Sequence, residues 1–354
     1  MRASDAEVVV VGAGVMGAAT ARALSRSGRE VLLLEQFELG HDRGSSHGAS
    51  RVFRLSYGDP TYVRMAQDAL PLWRELEEEA GRPLLVTTGG FDIGPGAVAN
   101  AAALEACGAG FERLNGRAAT ERFPVLSLPP EAPALYQPDA GMVHADAAIR
   151  SLLALAAAHG TEVRERTRVT ALAAGGDGVA VATESGTVRA EAVVVTAGAW
   201  ARPLMATAGI DLPVVPTRET VAYFAMDEAW PPVLVQWEAA PYYALPDPGR
   251  GIKAAQHHAG PGTDPDREGE VSEEAVARLS AWVKERFPTA DPEPVGAETC
   301  LYTNTDDERF ILERRGRVVV GSACSGHGFK FAPLIGKRLA ALAHDAASGG
   351  QSTS

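Results

Sequence analysis

The 354-residue sequence predicts an α/β protein, α+β overall, in which a Rossmann-like dinucleotide-binding domain is joined to a second domain with a mixed, largely antiparallel sheet. Three observations carry that reading. A β-branched run near the N-terminus enters Gly12-Ala13-Gly14-Val15-Met16-Gly17 and then a helical period. Apolar and polar residues alternate from Val214 to His258, with prolines between the runs. Near the C-terminus a second glycine-bearing turn, Ser325-Gly326-His327-Gly328-Phe329-Lys330, joins a strand to a helix.

Glu7–Val11 reads as a buried parallel strand, Val15–Ser27 as a helix that Gly28 terminates, and Glu30–Leu34 as a second buried strand ending in Glu35. This is a complete βαβ unit. Its first glycine permits a tight turn, the second lets the backbone approach a pyrophosphate, and the third lets helix pack on strand. Glu35, 18 residues past Gly17, stands where a carboxylate accepts hydrogen bonds from ribose hydroxyls.

A polar, glycine-rich stretch through Ser45, Ser46, His47 and Gly48 follows, and helical periodicity returns from Tyr62 to Ala80. Leu84–Val86 and Phe91–Ile93 are candidate strands, and residues 95–140 carry short helical pieces between Ala, Pro and Gly. Asp146–His159 is a helix, and Glu162–Arg164 and Val169–Leu172 are strands. Val179–Thr183 and Thr187–Ala190 form a hairpin, and Ala192–Thr196 is a separate buried strand ending in small residues at Gly198. Val271–Phe287 is an amphipathic helix stopped by Pro288, Val318–Val320 a last buried strand, and Phe331–Ala346 a last helix before a frayed tail from Ser348. Pro- and Gly-bearing loops near 141 and 212 mark crossings. The dinucleotide domain is therefore drawn as 1–80, 142–212 and 306–354, and the substrate domain as 81–141 and 213–305.

With 46% hydrophobic and 22% charged residues, the composition is that of a soluble globular chain too long for one compact core. A net charge of −12 disfavours nucleic acid and anionic membrane as partners. No run reaches the ~18 apolar residues needed to span a bilayer, and glycines punctuate the N-terminal apolar run, against a signal peptide. Cys107, Cys300 and Cys324 are odd in number and widely separated. That spacing points to a reducing compartment, the cytoplasm, and offers no metal-ligand pattern. No Ser-His-Asp pattern or nucleophile elbow appears.

Arg51-x-x-Arg54 projects two guanidinium groups to similar sides if the segment is helical, a pattern suited to carboxylate or phosphate. Lys253 sits between apolar neighbours in a strand and by itself reads as an edge lysine with its ammonium in solvent; His257, four residues on and so on the same face, hints at a functional one. Cys300 lies on a strand, where a cysteine is usually a small buried hydrophobe, and Cys324 is its rival for any special role. The turn at Ser325–Lys330 opens a helix whose N-terminal dipole and N–H groups favour negative charge.

Three segments taken together, Gly44–Arg54 (Gly-Ser-Ser-His-Gly-x-x-Arg-x-x-Arg), Thr299–Thr303 (Thr-Cys-Leu-Tyr-Thr) and Ser325–Phe331, resemble the monomeric sarcosine oxidase and N-methyltryptophan oxidase family of D-amino-acid oxidase-like flavoenzymes. The resemblance runs from Val8 to about Leu342. It implies FAD as cofactor, with Gly12, Gly14, Gly17 and Glu35 on its ADP half and Val169 and Gly198 along it. It also implies Ser45, Ser46, His47, Arg51, Tyr302, Gly326, Gly328 and Lys330 around the cofactor, and a covalent link from Cys300 to the flavin. Arg54 and Lys330 fall on the substrate carboxylate, Lys253 on oxygen activation, and His257, Tyr242 and His327 around ring or substrate. The implied reaction is oxidation of a secondary amino acid, N-methyl or cyclic, to an imine by a monomer, with O2 reduced to hydrogen peroxide. A dehydrogenase passing electrons to a protein acceptor and a silent flavoprotein scaffold are the alternatives. Ala49-Ser50 stand where the family tends to carry an Asp, the tail is short, and Val233–Glu238 matches the sarcosine enzymes poorly, which points away from sarcosine itself.

Overall fold

A computed structural model describes residues 4–227 and 230–348. The tail beyond Ser348, read as frayed, lies outside these residues. Parallel strands Ala6–Val11, Val31–Leu34, Gly186–Val195 and Val318–Ser322 form the centre of an eight-stranded sheet, in the registers Val8↔Val31, Val8↔Ala192 and Val193↔Val318. These strands are apolar almost throughout because both of their faces are covered. Val8, Val10 and Leu33 meet a layer that includes helices Val15–Arg26, Ala145–Ala158 and Ala332–Ala347, while Val9, Val11, Leu32 and Leu34 pack on the opposite side. Gly186–Val195 is one continuous strand. The sequence reading divided it at Glu191, but the strand pairs antiparallel with Gly178–Thr183 in its first half and parallel with Val318–Ser322 in its second.

The second sheet also has eight strands, in the order Ala290–Asn304, Val215–Met226, Gly251–Gln256, Tyr242–Asp247, Val233–Gln236, Gly90–Ile93, Pro133–Gln137 and Glu112–Asn115. Only Val233–Gln236 and Gly90–Ile93 run parallel; the other neighbours are antiparallel. Period-two alternation sorts its side chains. Phe91, Ile93, Ala222, Phe224, Tyr242, Ala244, Ile252 and Ala254 pack with Leu279, Trp282 and Val283 of helix Glu273–Arg286. Asp92, Tyr223, Val235, Tyr243, Leu245 and Lys253 take the alternate positions and so the opposite face. Cys300 and Tyr302 cluster with Tyr223 on that face.

Three elements depart from expectation. Arg51 lies in a strand, Ser50–Phe53, paired antiparallel with Gly141–His144, because Val52 and Phe53 favour extended backbone. Ala290–Asn304 extends through Pro292 and Pro294, which an edge strand tolerates because its outer N–H groups have no partner strand. Ile311–Arg315 pairs with Val318–Ser322 around Gly316, a hairpin hidden in the sequence by its charged residues. No described helix is long and apolar enough to cross a membrane.

The helices against the first sheet approach closely through small residues. A Cβ on Gly336 would fall 2.6 Å from the carbonyl carbon and oxygen of Ala19 on the facing helix. Gly336→Ala should therefore destabilise the protein by about 1–3 kcal/mol, read as a lower urea midpoint at constant slope. Gly110→Ala, where a Cβ meets nothing within 4 Å, should leave the midpoint in place.

Candidate active site

One cavity of about 1070 Å³ is lined by the glycine loop, the 44–54 segment, the free face of the second sheet and the C-terminal turn. Gly12 has φ +96°, and a Cβ there would meet the Thr196 carbonyl at 2.7 Å. Gly14 faces the Ser46 hydroxyl, which accepts from Val15 N at the helix start (3.2 Å). Gly17 lies beneath the loop and does not line the cavity; a Cβ there would sit 1.8 Å from the Gly12 carbonyl oxygen, so helix and loop close on each other only through glycine. Glu35 is buried, its two oxygens accepting from Ala13 N (2.7 Å) and Phe37 N (3.0 Å). It ties the glycine loop to the end of the second strand and keeps lone pairs for a ribose. Val169 and Gly198 (φ +51°) line the same cavity.

Arg51 is occupied. Its guanidinium donates to the carbonyls of Ser45, His47 and Ser50, folding the 45–50 loop back on itself, and its charge lies over the Phe329 ring at 5.7 Å. His47 is lowered to about 4 by burial and then by Arg51, so it stays neutral at pH 7. Arg51 thus shapes the loop instead of presenting a second anion clamp beside Arg54.

Lys253 is buried on the cavity face, and its pKa falls to about 8, through burial first and the Arg51 charge second. Cys300 lines the cavity; burial pushes its thiol up while Lys253 and Arg51 pull it down. Cys324 lines it too, its Sγ accepting from Thr303 N at 3.4 Å. Tyr223 hydrogen-bonds Glu298, and Glu298 stands 3.9 Å from the His47 ring.

The remaining polar groups gather around a second pair of cations. Arg54 lies between the rings of Tyr57 (4.3 Å) and Trp237 (5.1 Å). Lys330 Nζ donates to the Tyr57 hydroxyl (2.8 Å) and the His327 carbonyl (2.6 Å), and burial together with Arg54 drives its pKa well below the ordinary lysine value. Among the described residues, the hydrogen-bond acceptors of both cations are uncharged oxygens. His257 Nδ1 lies 3.3 Å from the Tyr302 hydroxyl. Burial holds His257 well below the ordinary imidazole value and His327 at about 3, so both are neutral. The C-terminal turn reaches these groups through two left-handed residues, Ser325 and Gly326. A Cβ on Gly326 would lie 2.3 Å from the Tyr302 ring and 2.4 Å from His257, and one on Gly328 would lie 1.8 Å from the Ala323 carbonyl oxygen.

Most residues singled out in the sequence therefore meet in one cavity. Tyr242 does not. Strand alternation turns it to the helix layer, where its ring stacks on Trp282 at 5.4 Å, and Tyr243 faces the cavity in its place. Sequence reasoning also missed Tyr57, whose hydroxyl accepts from Lys330, and met Trp237 only as part of the Val233–Glu238 segment; the period-two pattern was the one available signal for Tyr243. The residues present fit an FAD-sized dinucleotide. The glycine cradle would be filled by any Cβ, Glu35 is poised for a ribose, and the cavity continues to the wall that carries Arg54 and Lys330.

Comparison with known proteins agrees with that fit. The DAO family model, described as FAD dependent oxidoreductase, matches residues 7–342. Monomeric sarcosine oxidase of Bacillus sp. (strain B-0618) is 34% identical over 358 residues, covering 95% of this chain and 92% of that protein. N-methyl-L-tryptophan oxidase of Yersinia pestis (strain Pestoides F) is 29% identical, covering 96% and 95%. The open form of NikD, an unusual amino acid oxidase essential for nikkomycin biosynthesis, superposes with a TM-score of 0.87 at 29% identity, covering 99% of this chain and 95% of that one.

Proposed function

Because this chain belongs to the DAO family of FAD-dependent oxidoreductases, we propose that it oxidises a secondary amino acid, N-methyl or cyclic, to the imine and reduces O2 to hydrogen peroxide. One observation carries the choice of substrate class: Arg54 and Lys330 line a buried wall with only neutral acceptors, a charge arrangement completed by a carboxylate. Trp237 and Tyr243 add aromatic surface to the same cavity, suited to a side chain or ring larger than that of sarcosine. Sequence divergence at Val233–Glu238 supports the same direction.

FAD, when bound, supplies the two-electron acceptor for the oxidation. Gly12, Gly14, Glu35, Ser46, Val169 and Gly198 would hold its nucleotide portion. Cys300 is the thiol that would hold it covalently, in preference to Cys324, because the family motif falls on Thr299–Thr303. The amine gives up two electrons and two protons as its carbon–nitrogen bond becomes an imine, and O2 leaves as hydrogen peroxide. Arg54 and Lys330 orient the carboxylate end, while His257 and His327 stay neutral and so do not compete for that anion. Lys253 provides positive charge where O2 is reduced. Free thiols at three separated positions suit a monomer in the reducing cytoplasm.

Peroxide release across N-methyl amino acids, proline and pipecolate tests the reading; no peroxide with any of them would overturn it. Arg54→Ala or Lys330→Ala should raise KM by the equivalent of about 1.5–3 kcal/mol, and unchanged KM in both removes the clamp. Lys253→Met should slow the half-reaction with O2 far more than the half-reaction with the amine. In the native protein the O2 half-reaction should weaken above about pH 8, as the ammonium is lost, and stopped-flow measurements of both variants check this. Acid-precipitated protein should remain yellow, whereas Cys300→Ser should release its colour; release from Cys324→Ser instead would move the link to that thiol.

A further inference from the structure

Asp92 lies on the strand Gly90–Ile93, where alternation sends Phe91 and Ile93 to the helix layer and Asp92 to the opposite face. It pairs in register with Val235, a residue lining the cavity, and is only 1% exposed. Oδ2 accepts from the side-chain amides of Gln137 (3.2 Å) and Asn100 (3.4 Å). Oδ1 has no partner within hydrogen-bond distance, and the indole N–H of Trp237, likewise without one, lies close enough to favour the charged carboxylate. The same polar pocket secures the backbone just after Arg54. Gln137 accepts from Leu55 N and Ser56 N, Asn100 donates to the Ser56 hydroxyl, and Arg54 donates to the Ser56 carbonyl.

The groups facing Asp92 are Asn100 from the helix Pro95–Ala106, Gln137 from the adjoining strand, Trp237 beyond the parallel partner strand, and Arg54 and Tyr57 from the segment after Phe53. Arg54 is the only cation among them. A buried carboxylate with a single cation beside it, helped otherwise only by the neutral donors of Asn100, Gln137 and Trp237, depends chiefly on that cation for its charge. A second anion at Arg54 divides the attraction and adds like-charge repulsion across a dry site.

We propose that Asp92 is a charge-balancing, positioning residue of the Arg54 clamp, taking up one proton from solvent when a carboxylate ligand binds there. The proposal rests on the reading of Arg54 as the carboxylate clamp. Burial lifts Asp92 to about 6 against the pull of Arg54, Trp237 and Asn100, so in the empty site it is ionised above that pH. A bound anion raises it further. Ligand affinity is therefore highest below about pH 6, where Asp92 is already protonated, and falls as pH rises towards the ligand-bound value. Lys330 also faces the clamp, its pKa pushed well below the ordinary lysine value by burial and then by Arg54. Tyr57 is raised, and His257 and His327 are held low, so none of these titrates near neutrality.

The test uses the FAD-loaded protein titrated with benzoate, a carboxylate it cannot oxidise, followed by the flavin absorbance between pH 5.5 and 8.5. Proton uptake is read in parallel with a pH dye in weak buffer. Native protein should take up close to one proton per benzoate at pH 7, and its Kd should rise by up to about tenfold per pH unit above pH 6. Asp92→Asn should abolish most of the uptake, flatten that part of the profile and bind about tenfold more tightly at pH 7.5. An Asp92→Asn profile parallel to the native one, or native protein with no proton uptake, overturns the proposal; the second measurement needs no variant to fold. A purely structural role would lower the melting temperature without moving the pH profile. Arg54→Gln separates the premise: if it binds benzoate as well as native protein does, the clamp fails and the proposal with it, whereas weak binding by Arg54→Gln with unaltered pH dependence in Asp92→Asn rejects Asp92 alone.

Discussion

A buried cation without a carboxylate partner is expensive, and this fold maintains several along one cavity. Lys253 and Lys330 are each only 4% exposed, and Arg54 is half-buried between two rings. The atoms that touch Arg54 and Lys330 are carbonyl and hydroxyl oxygens and aromatic faces, all uncharged, while Asp92 near Arg54 and Glu298 and Asp247 near Lys253 attract them without a hydrogen bond. In a chain with a net charge of −12, the absence, among the described residues, of carboxylates hydrogen-bonded to these three side chains is a property of the site and not of composition. Both lysines accordingly have depressed pKa values, and the energy stored in their desolvation is recovered when an anion or a developing negative charge arrives.

Backbone contacts bring these groups together. The first glycine loop fits against the Thr196 carbonyl, and the C-terminal turn passes so near Tyr302 and His257 that only hydrogen can stand at Gly326. Between them, the second sheet presents one face to the cavity and the other to the helix Glu273–Arg286. The nucleotide sheet supplies rigid edges and turns, and the antiparallel sheet supplies a side-chain surface whose facing is set by parity. A one-residue slip in Gly251–Gln256 would exchange Lys253 for Ile252 or Ala254.

Legibility in the sequence followed the range of the determining contacts. The βαβ unit was readable because its glycines, helix and terminal acid are fixed by neighbours within thirty residues or so. The extended form of Ser50–Phe53 was not, since its pairing partner Gly141–His144 is distant in the chain. Tyr242 and Tyr243 differ only in parity, and parity is decided by registers with Gln256 and Ala255 that the sequence does not display. Asp92 was invisible as part of the site because the parallel pairing of Gly90–Ile93 with Val233–Gln236 brings together segments far apart in sequence. Motif resemblance located most of the groups that line the cavity; it was silent about the side chains behind them.

The long border strand Ala290–Asn304 has a consequence for the protein as a solute. An unpaired strand margin invites a neighbouring molecule to add its own backbone, which is how sheets propagate into aggregates. Here Pro292 and Pro294 delete two amide donors in the outermost stretch, and Asp291 and Glu293 interleave negative charge with them. Edge-on recruitment of further chains is thereby discouraged.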